Sequence, residues 1–420
     1  MPEQSDFPAV DPGAYPPLGR TPPVVRTALT EDFHFRALSR WPSPDDSSLQ
    51  AHDAADLLLL DTAQAWWSAG HAADPVVVLE DRHGAITLPL LQAGHRVRVG
   101  QDGVAHERSL QANLAHLQDA HDPKLHPDHL HRGPLDASLL SGARTVLLTL
   151  PRSLDALEQW SQLVAEHAHE DVVFLAAGRD KHMTPRQNAV LARYFDSVVP
   201  GRGRSKSRVL TARGPRRGRP APFPRTAERH LPDVGPVTLA SFGATFGGTN
   251  LDPGTELLLQ HLGAVAESSQ HSVGRAVDVG CGNGSIAVYL ALRAQRAGRD
   301  LTVVATDQSA DACASTTLTS QLNGVQDRVE VRRDDALATF PEASEDLLIL
   351  NPPFHAGNTV DTGLALRLVA ESARTLRPGG ELWCVWNSHL QYRADLERRV
   401  GPTRQIARNR TFTVTVSTRR

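Results

Sequence analysis

The stretch LLILNPPFHAGN, Leu347 to Asn358, runs four apolar residues straight into Asn351, two prolines and Phe354. Pro352 forces Asn351 into an extended backbone. Pro352 and Pro353 lack N–H donors but keep their carbonyls, so this corner offers acceptors and, in Phe354, a flat apolar face. Two fixed acceptors can hold both hydrogens of an exocyclic amine on a conjugated ring or amide and pull its nitrogen toward a pyramidal shape. The lone pair is then free to attack an electrophile. Stacking on Phe354 holds the group that bears the amine. Asn351, Pro352 and Phe354 therefore form a corner suited to presenting a planar NH₂ for alkylation.

A second constellation lies about 70 residues upstream. Asp278-Val-Gly280-Cys-Gly282-Asn-Gly284 is a loop whose glycines permit tight turning and close approach of a ligand to backbone. A dinucleotide fingerprint requires a third glycine at position 285, where the chain has Ser285, so an NAD-type site is disfavoured. Asp307, closing the run LTVVATD, places a carboxylate where it can accept two hydrogen bonds from a ribose diol. The position also suits the N-cap of a helix predicted from Ser309 to Gln321.

The elements that must position these residues are short apolar runs alternating with longer amphipathic ones. From Gly274 these are AVDVGC, a helix through Ala297, LTVVATD, a helix to Leu322, VEVRR and DLLIL. That alternation predicts βαβ units around a parallel sheet. Ligands of such sheets bind beyond the carboxyl ends of the strands, where every residue named above falls.

DVGCGNG, the acidic end of the second strand and NPPF together resemble the class I S-adenosylmethionine-dependent methyltransferases that modify planar amino groups. The resemblance implies S-adenosylmethionine as cofactor, with Asp278, Gly280, Gly282 and Gly284 along its methionine and ribose side. It implies Asp307 on the ribose hydroxyls and Asp335, in RRDDAL, near the adenine amine. Further words narrow it. LDPGTELLLQHL (Leu251 to Leu262), His355, HLQY (His389 to Tyr392) and IARNRTFTV (Ile406 to Val414) are similar to the ribosomal RNA guanine-N2 methyltransferases, the large-subunit enzyme more than its small-subunit relative. In the first half, TLPRSLDALEQ, AAGRDKHMTP and Lys206-Ser-Arg208 extend the resemblance. It implies methyl transfer to the N2 amine of a guanine in ribosomal RNA, 23S before 16S, or in a ribosomal subunit precursor. The same corner is compatible with a protein glutamine amide or adenine N6, and a non-catalytic RNA-binding protein is the rival of another class.

Sliding the chain by 200 positions sets Leu57-Leu58-Leu59 on Leu257-Leu258-Leu259, Val77 on Val277, Gly84 on Gly284, Ile86 on Ile286 and Leu147-Leu148 on Leu347-Leu348. Agreement of separate segments at one offset points to a duplication. Where the second copy has DVGCGNG the first has LEDRHG, with Glu80, Asp81, Arg82 and His83 filling the space that glycines leave open. Where the second has NPP the first has Pro151-Arg152-Ser153. The expected architecture is α/β: two tandem Rossmann-like methyltransferase domains, the N-terminal one degenerate and binding no cofactor. The expected divisions are an irregular Pro-rich lead-in over 1–50, an RNA-recognition domain over 51–212, a linker over 213–236 and the catalytic domain over 237–420.

Between Arg202 and Arg219 eight basic residues and no acid are interleaved with Gly, Ser and Pro. Such a segment is expected to be flexible and to neutralise phosphates, with Arg202, Arg204, Lys206 and Arg208 as RNA contacts and His355 as a further one. His116 to His131, including HPDHLH, matches no firm metal spacing, and no metal is expected. With 420 residues, 40% hydrophobic, 22% charged and a formal net charge of −3, the chain is an ordinary globular one of two or three domains with no global electrostatic bias. Cys281, Cys313 and Cys384 form no CxxC pair, which fits a reducing cytoplasm. The start MPEQSDFPAVDPG lacks a charged-then-apolar leader and no run approaches the ~18 residues of a membrane span, so neither export nor a membrane anchor is expected.

Overall fold

A computed structural model describes residues 22–41, 50–119, 125–267, 274–352 and 362–420. They divide into two compact units between Pro222 and Phe223.

In the first unit, β1 (Val76–Leu79), β2 (Val97–Gly100), β3 (Leu130–Arg132), β4 (Thr145–Thr149), β5 (Val173–Arg179), β6 (Phe195–Pro200) and β7 (Ser207–Pro215) form one sheet in the order β3-β2-β1-β4-β5-β7-β6. The second unit opens with a separate hairpin, β8 (Arg225–Leu231) and β9 (Gly235–Ser241). Its main sheet holds β10 (Arg275–Val279), β11 (Thr302–Asp307), β12 (Val329–Arg333), β13 (Glu345–Leu350), β14 (Leu376–Asn387), β15 (Thr403–Arg408) and β16 (Phe412–Thr418) in the order β12-β11-β10-β13-β14-β16-β15. The two orders are the same permutation, parallel as far as the fifth strand and closed by an antiparallel pair. The fold class predicted from the alternation is the one observed.

Strands β10 and β13 read as continuous apolar runs because helices cover both faces of the sheet. Ala276, Val303, Leu347 and Ile349 pack with Leu258, Leu259, Val288 and Tyr289 on one face. Val277, Val304, Leu348 and Leu350 pack with Leu368, Val369 and Leu396 on the other. A central strand is thereby held on four sides, so its carboxyl end is a rigid platform.

The register refines the internal repeat. Leu79 pairs with Leu148, and Val279 with Leu350. If the loops after Leu79 and Val279 correspond, the residue matching Asn351 is Thr149, and Thr149-Leu150-Pro151-Arg152 stands against Asn351-Pro352-Pro353-Phe354. The offset at this strand is therefore 202, and Pro151-Arg152-Ser153 is not the counterpart of NPP.

Two other expectations change. Half of the 213–236 segment is strand: β7 runs to Pro215, and Arg225 to Pro236 belong to the β8–β9 hairpin. Within the irregular lead-in, residues 22–41 carry a helix (Ala28–Glu31) and bury Leu29, Phe33, Phe35 and Leu38 in the first unit's core. A Pro-rich composition hid four core side chains.

Candidate active site

The site is built where the strand order reverses, between β10 and β13, whose carboxyl ends lie side by side. After β10 the chain turns through Gly280 (φ 79°), Gly282 (φ 54°) and Gly284 (φ 80°) into the helix Ser285–Arg296. A β-carbon at Gly280 or Gly282 would meet nothing within 4 Å, so both glycines face open space, whereas one at Gly284 would press on the Thr316 backbone at 3.0 Å. Gly280 and Gly282 thus leave room for a ligand, and Gly284 lets the helix Ala310–Leu322 pack close.

Asp307 ends β11 and ties this loop down: its Oδ2 accepts from the Gly282 amide at 3.1 Å and its Oδ1 from the Ser309 amide at 3.0 Å. The N-cap of the following helix is Ser309, whose hydroxyl accepts from Ala312 N, so the carboxylate of Asp307 is kept at the loop. Asp278, fully buried in β10, accepts from Ala287 N through Oδ2, while its Oδ1 has no partner among the described residues. Burial, and to a lesser degree the Asp307 charge, push its carboxyl up to about 7. A buried acid with one oxygen to spare, open glycines and a carboxylate at the second strand fit a cofactor with a cationic end and a ribose.

Asp335 follows β12. It is buried rather than solvated and pairs with Arg367 from the helix Thr362–Thr375. Arg367 carried no signal in the sequence.

Asn351 follows β13, and its geometry is specific. Nδ2 donates to Asp252 Oδ1 at 3.0 Å and to Thr255 Oγ1 at 2.8 Å. A carboxylate can only accept, so Asp252 fixes the amide orientation. Oδ1 of Asn351 is buried and without a hydrogen-bond partner among the described residues. Pro352 beside it is buried. Pro353, Phe354 and His355 lie outside the described residues.

Asp252 and Thr255 were read only as part of a family word. Asp252 before Pro253 is an N-cap followed by proline at the first helical position, a signal visible in the sequence. It caps the helix Pro253–Glu267 by accepting from Gly254 N and Thr255 N. Asn283 was also missed: its Nδ2 donates to Gly248 O and Asn250 O, both at 2.9 Å, holding to the glycine loop a turn that carries Phe246, 75% exposed.

In the first unit the equivalent loop keeps the backbone and changes the side chains. Glu80 N donates to Gly100 O as Gly280 N does to Thr306 O, and Glu80 retains the left-handed φ of 61°. Its carboxylate accepts from Asp102 N at 2.6 Å, so it occupies the gap between loop and second strand. Gln101 stands where Asp307 does.

The basic segment is not a flexible one. Ser205 and Lys206 form a tight turn with positive φ, closed by paired backbone bonds between Arg204 and Ser207, and β7 follows between β5 and β6. Arg204 pairs with the fully buried Asp61, and Arg208 bonds Gly201 O at 3.0 Å and Asp180 at 3.4 Å. Arg202 and Lys206 are exposed. Of the His-rich stretch, 120–124 lie outside the described residues, and His126 stacks on His129. Among the described residues the cluster with metal-ligating reach is elsewhere, at His169, Glu170 and Asp171, where Arg144 lies 3.0 Å from the imidazole. No helix among the described residues is long and apolar enough to cross a membrane.

The fold and the site define a methyltransferase of the Rossmann-like α/β class, and residues 236–416 match the methyltransferase small domain. Residues 26–216 match the RLMG N-terminal domain. The chain is 31% identical over 407 residues to ribosomal RNA large subunit methyltransferase G of Streptomyces coelicolor, covering 92% of this chain and 98% of that one. It is 33% identical over 386 residues to the protein of the same name from Pseudomonas aeruginosa, covering 90% and 96%. The chain belongs to the ribosomal RNA large subunit methyltransferase G family. Among solved structures, the T. thermophilus 16S rRNA N2 G1207 methyltransferase (RsmC), in complex with AdoMet and guanosine, has the same two-unit fold at TM-score 0.70 and 20% identity, covering 88% of this chain and 92% of that one.

Proposed function

We propose that the second unit transfers a methyl group from S-adenosylmethionine to the exocyclic N2 amine of a guanine in ribosomal RNA, the large-subunit RNA first among substrates, and that the first unit recognises the RNA without binding cofactor. The observation that carries the chemistry is Asn351, whose Nδ2 is spent on Asp252 and Thr255 while its buried Oδ1 is left as an acceptor.

S-adenosylmethionine, when bound, supplies the methyl electrophile. The Gly280–Gly284 loop, Asp278, Asp307 and Asp335 would hold it. Asn351 Oδ1 and the Pro352 carbonyl accept the two N–H bonds of the guanine amine, and Phe354 stacks on the base. Orienting both hydrogens would free the nitrogen lone pair for the methyl electrophile; as the N–C bond formed the cofactor's S–CH3 bond would break, with S-adenosylhomocysteine as the leaving group and the amine proton passing to water. Alignment supplies most of the rate, because the reaction needs no covalent enzyme intermediate. His355 is a proposed RNA contact, and the exposed Arg202 and Lys206 suit phosphate better than Arg204 and Arg208, which are already engaged. The free cysteines Cys281, Cys313 and Cys384 fit a reducing cytoplasm, where we place the reaction on ribosomal RNA or a subunit precursor.

The test is single-turnover methyl transfer to unmodified ribosomal RNA by Asn351→Ala. Losing one preorganised partner of the reacting group should lower turnover ~10²–10³-fold with cofactor affinity retained. Transfer at the wild-type rate would show that the acceptor mechanism is wrong.

A further inference from the structure

The first unit has a cavity of about 310 Å³ at the carboxyl end of its sheet, at the lower end of ligand-sized volumes. Its position follows from the register. Thr149, Leu150, Pro151 and Arg152 line it as the counterparts of the Asn351 corner, and Asp53 and Asp56 line it from the helix start that corresponds to Asp252 and Thr255. The degenerate half has therefore kept the cleft in which the other half is proposed to hold its base.

The chemistry of the cleft has been inverted. Arg40, Arg82, Arg152, Arg179 and Lys181 line it, and none of the five is ion-paired with a carboxylate among the described residues. Its three carboxylates are used by backbone. Asp81 accepts from the amides of Gly84, Ile86 and Thr87 at 3.1, 3.1 and 2.6 Å, Asp53 from Ala55 N at 2.6 Å, and Asp56 from Asp53 N at 2.8 Å. Burial, with Asp53 beside it, pushes Asp56 up to about 7, which removes part of its charge at neutral pH. The cations converge as well. Protonation of His182 is disfavoured by burial first and then by Lys181, Arg152, Arg82 and Arg179. His83 is pushed down to about 3 by burial, with His106, Arg40 and Arg82 adding to it.

Five cations against three carboxylates that are engaged by backbone amides leave a cationic excess around one cleft, which calls for an anion. Among the described residues no Phe, Tyr or Trp lines the cavity to stack a base, and Gln101 replaces the carboxylate that would hold a ribose diol, so the site suits a phosphate better than a nucleoside. We propose that this cavity binds the phosphodiester backbone of the RNA substrate, with Arg82, Arg152 and Lys181 as its phosphate contacts. The inference rests on ribosomal RNA being the substrate. It gives the first unit a defined docking point in place of a diffuse basic surface, and it uses side chains whose replacement breaks no described ion pair.

The experiment uses the full chain and an unmodified ribosomal RNA transcript. Binding of the wild type is measured first across a salt series; if it binds no ribosomal RNA, the proposed function itself fails. Given binding, R82Q/R152Q/K181Q should raise Kd and reduce the magnitude of the log–log salt slope by about two, at roughly 0.7–0.9 per phosphate contact, with cofactor affinity unchanged. A photo-reactive benzoylphenylalanine replacing Met183, on the cavity wall, should crosslink to the RNA. An unchanged slope, or no crosslink at saturating RNA, overturns the proposal. A cavity built for a free nucleotide would leave the slope unaltered and lose the crosslink on addition of guanosine monophosphate, and either result overturns it too.

Discussion

Asp252 Oδ1 accepts a hydrogen bond from Asn351 Nδ2 at 3.0 Å, and because a carboxylate cannot donate, this one contact decides which atom of the amide faces the substrate. The residue that starts a helix 99 positions earlier in the chain thereby sets the polarity of the reacting corner. Asp252→Ser should keep an N-cap oxygen and the helix while releasing the amide to turn over. A hydrogen bond to a charged group is worth ~1.5–3 kcal/mol, so turnover should fall about tenfold or more, with KM for cofactor unchanged. Single-turnover rates and a thermal melt separate this from a capping defect: a normal rate with a lowered melting temperature would assign Asp252 to the cap alone.

A pH dependence follows from Asp278. Burial raises its folded pKa from the ordinary carboxylate value of 3.8 to about 7, so the folded state binds the proton more tightly. Its contribution to stability is therefore lost as pH rises between those two values. Asp278→Asn in the cofactor-free chain should melt higher than the wild type at pH 8, and the two should converge near pH 4. A cationic ligand favours the ionised carboxylate, so S-adenosylmethionine should bind the wild type more tightly at pH 8 than at pH 6. The variant should bind weakly with no such trend. Calorimetry at both pH values reads this, and a pH-independent wild type would remove Asp278 from the cofactor site.

Arg204 and Lys206, two residues apart, should part company on mutation. Arg204→Gln strands the fully buried Asp61, which keeps hydrogen bonds from Thr27 N, Thr27 Oγ1 and Thr30 Oγ1. Breaking a buried pair costs ~3–5 kcal/mol, and these remaining donors put the loss at the low end, about 3 kcal/mol in denaturant melts. Lys206→Gln should leave stability within about 0.5 kcal/mol and weaken RNA binding only. Equal stability of the two variants would return Arg204 to the RNA-binding surface.

Cofactor stoichiometry should be one per chain. Glu80 and Gln101 occupy in the first unit the places of Gly280 and Asp307, and Glu80 closes the gap on Asp102 N. Gly284→Ala should weaken binding in the remaining site by displacing the loop, since its β-carbon would meet the Thr316 backbone at 3.0 Å at a φ of 80°. Two cofactors per chain, or wild-type binding by residues 1–222 alone, would contradict the division of labour between the units.

Much of this was legible in the sequence because it depends on single residues in local patterns. The alternation of apolar runs gave the sheet, and Asn351 with the glycine loop gave the two corners proposed to hold ligands. What stayed hidden depends on pairing across the chain. Nothing near Arg367 announces Asp335, and nothing near Arg204 announces Asp61. A basic run read as flexible is a tight turn and a strand, because β7 is held by β5 and β6 on either side. The repeat offset slipped by two at β4 because Leu-rich strands match equally well in several registers, and only the ladder from Leu79 to Leu148 resolves it.

Glu80 sits at a φ of 61°, where a side chain is strained by roughly 1 kcal/mol or more and glycine is not. A turn whose backbone favours glycine has thus been kept in a half where glycine is gone, and the difference between the loops lies in what hangs from the backbone. Two halves of one chain then share a strand order and a turn but differ in lining, one open at its glycines, the other with Glu80 in the loop and cations around its cleft. Any search for cofactor sites by backbone shape would return both, and the side chains alone tell one from the other.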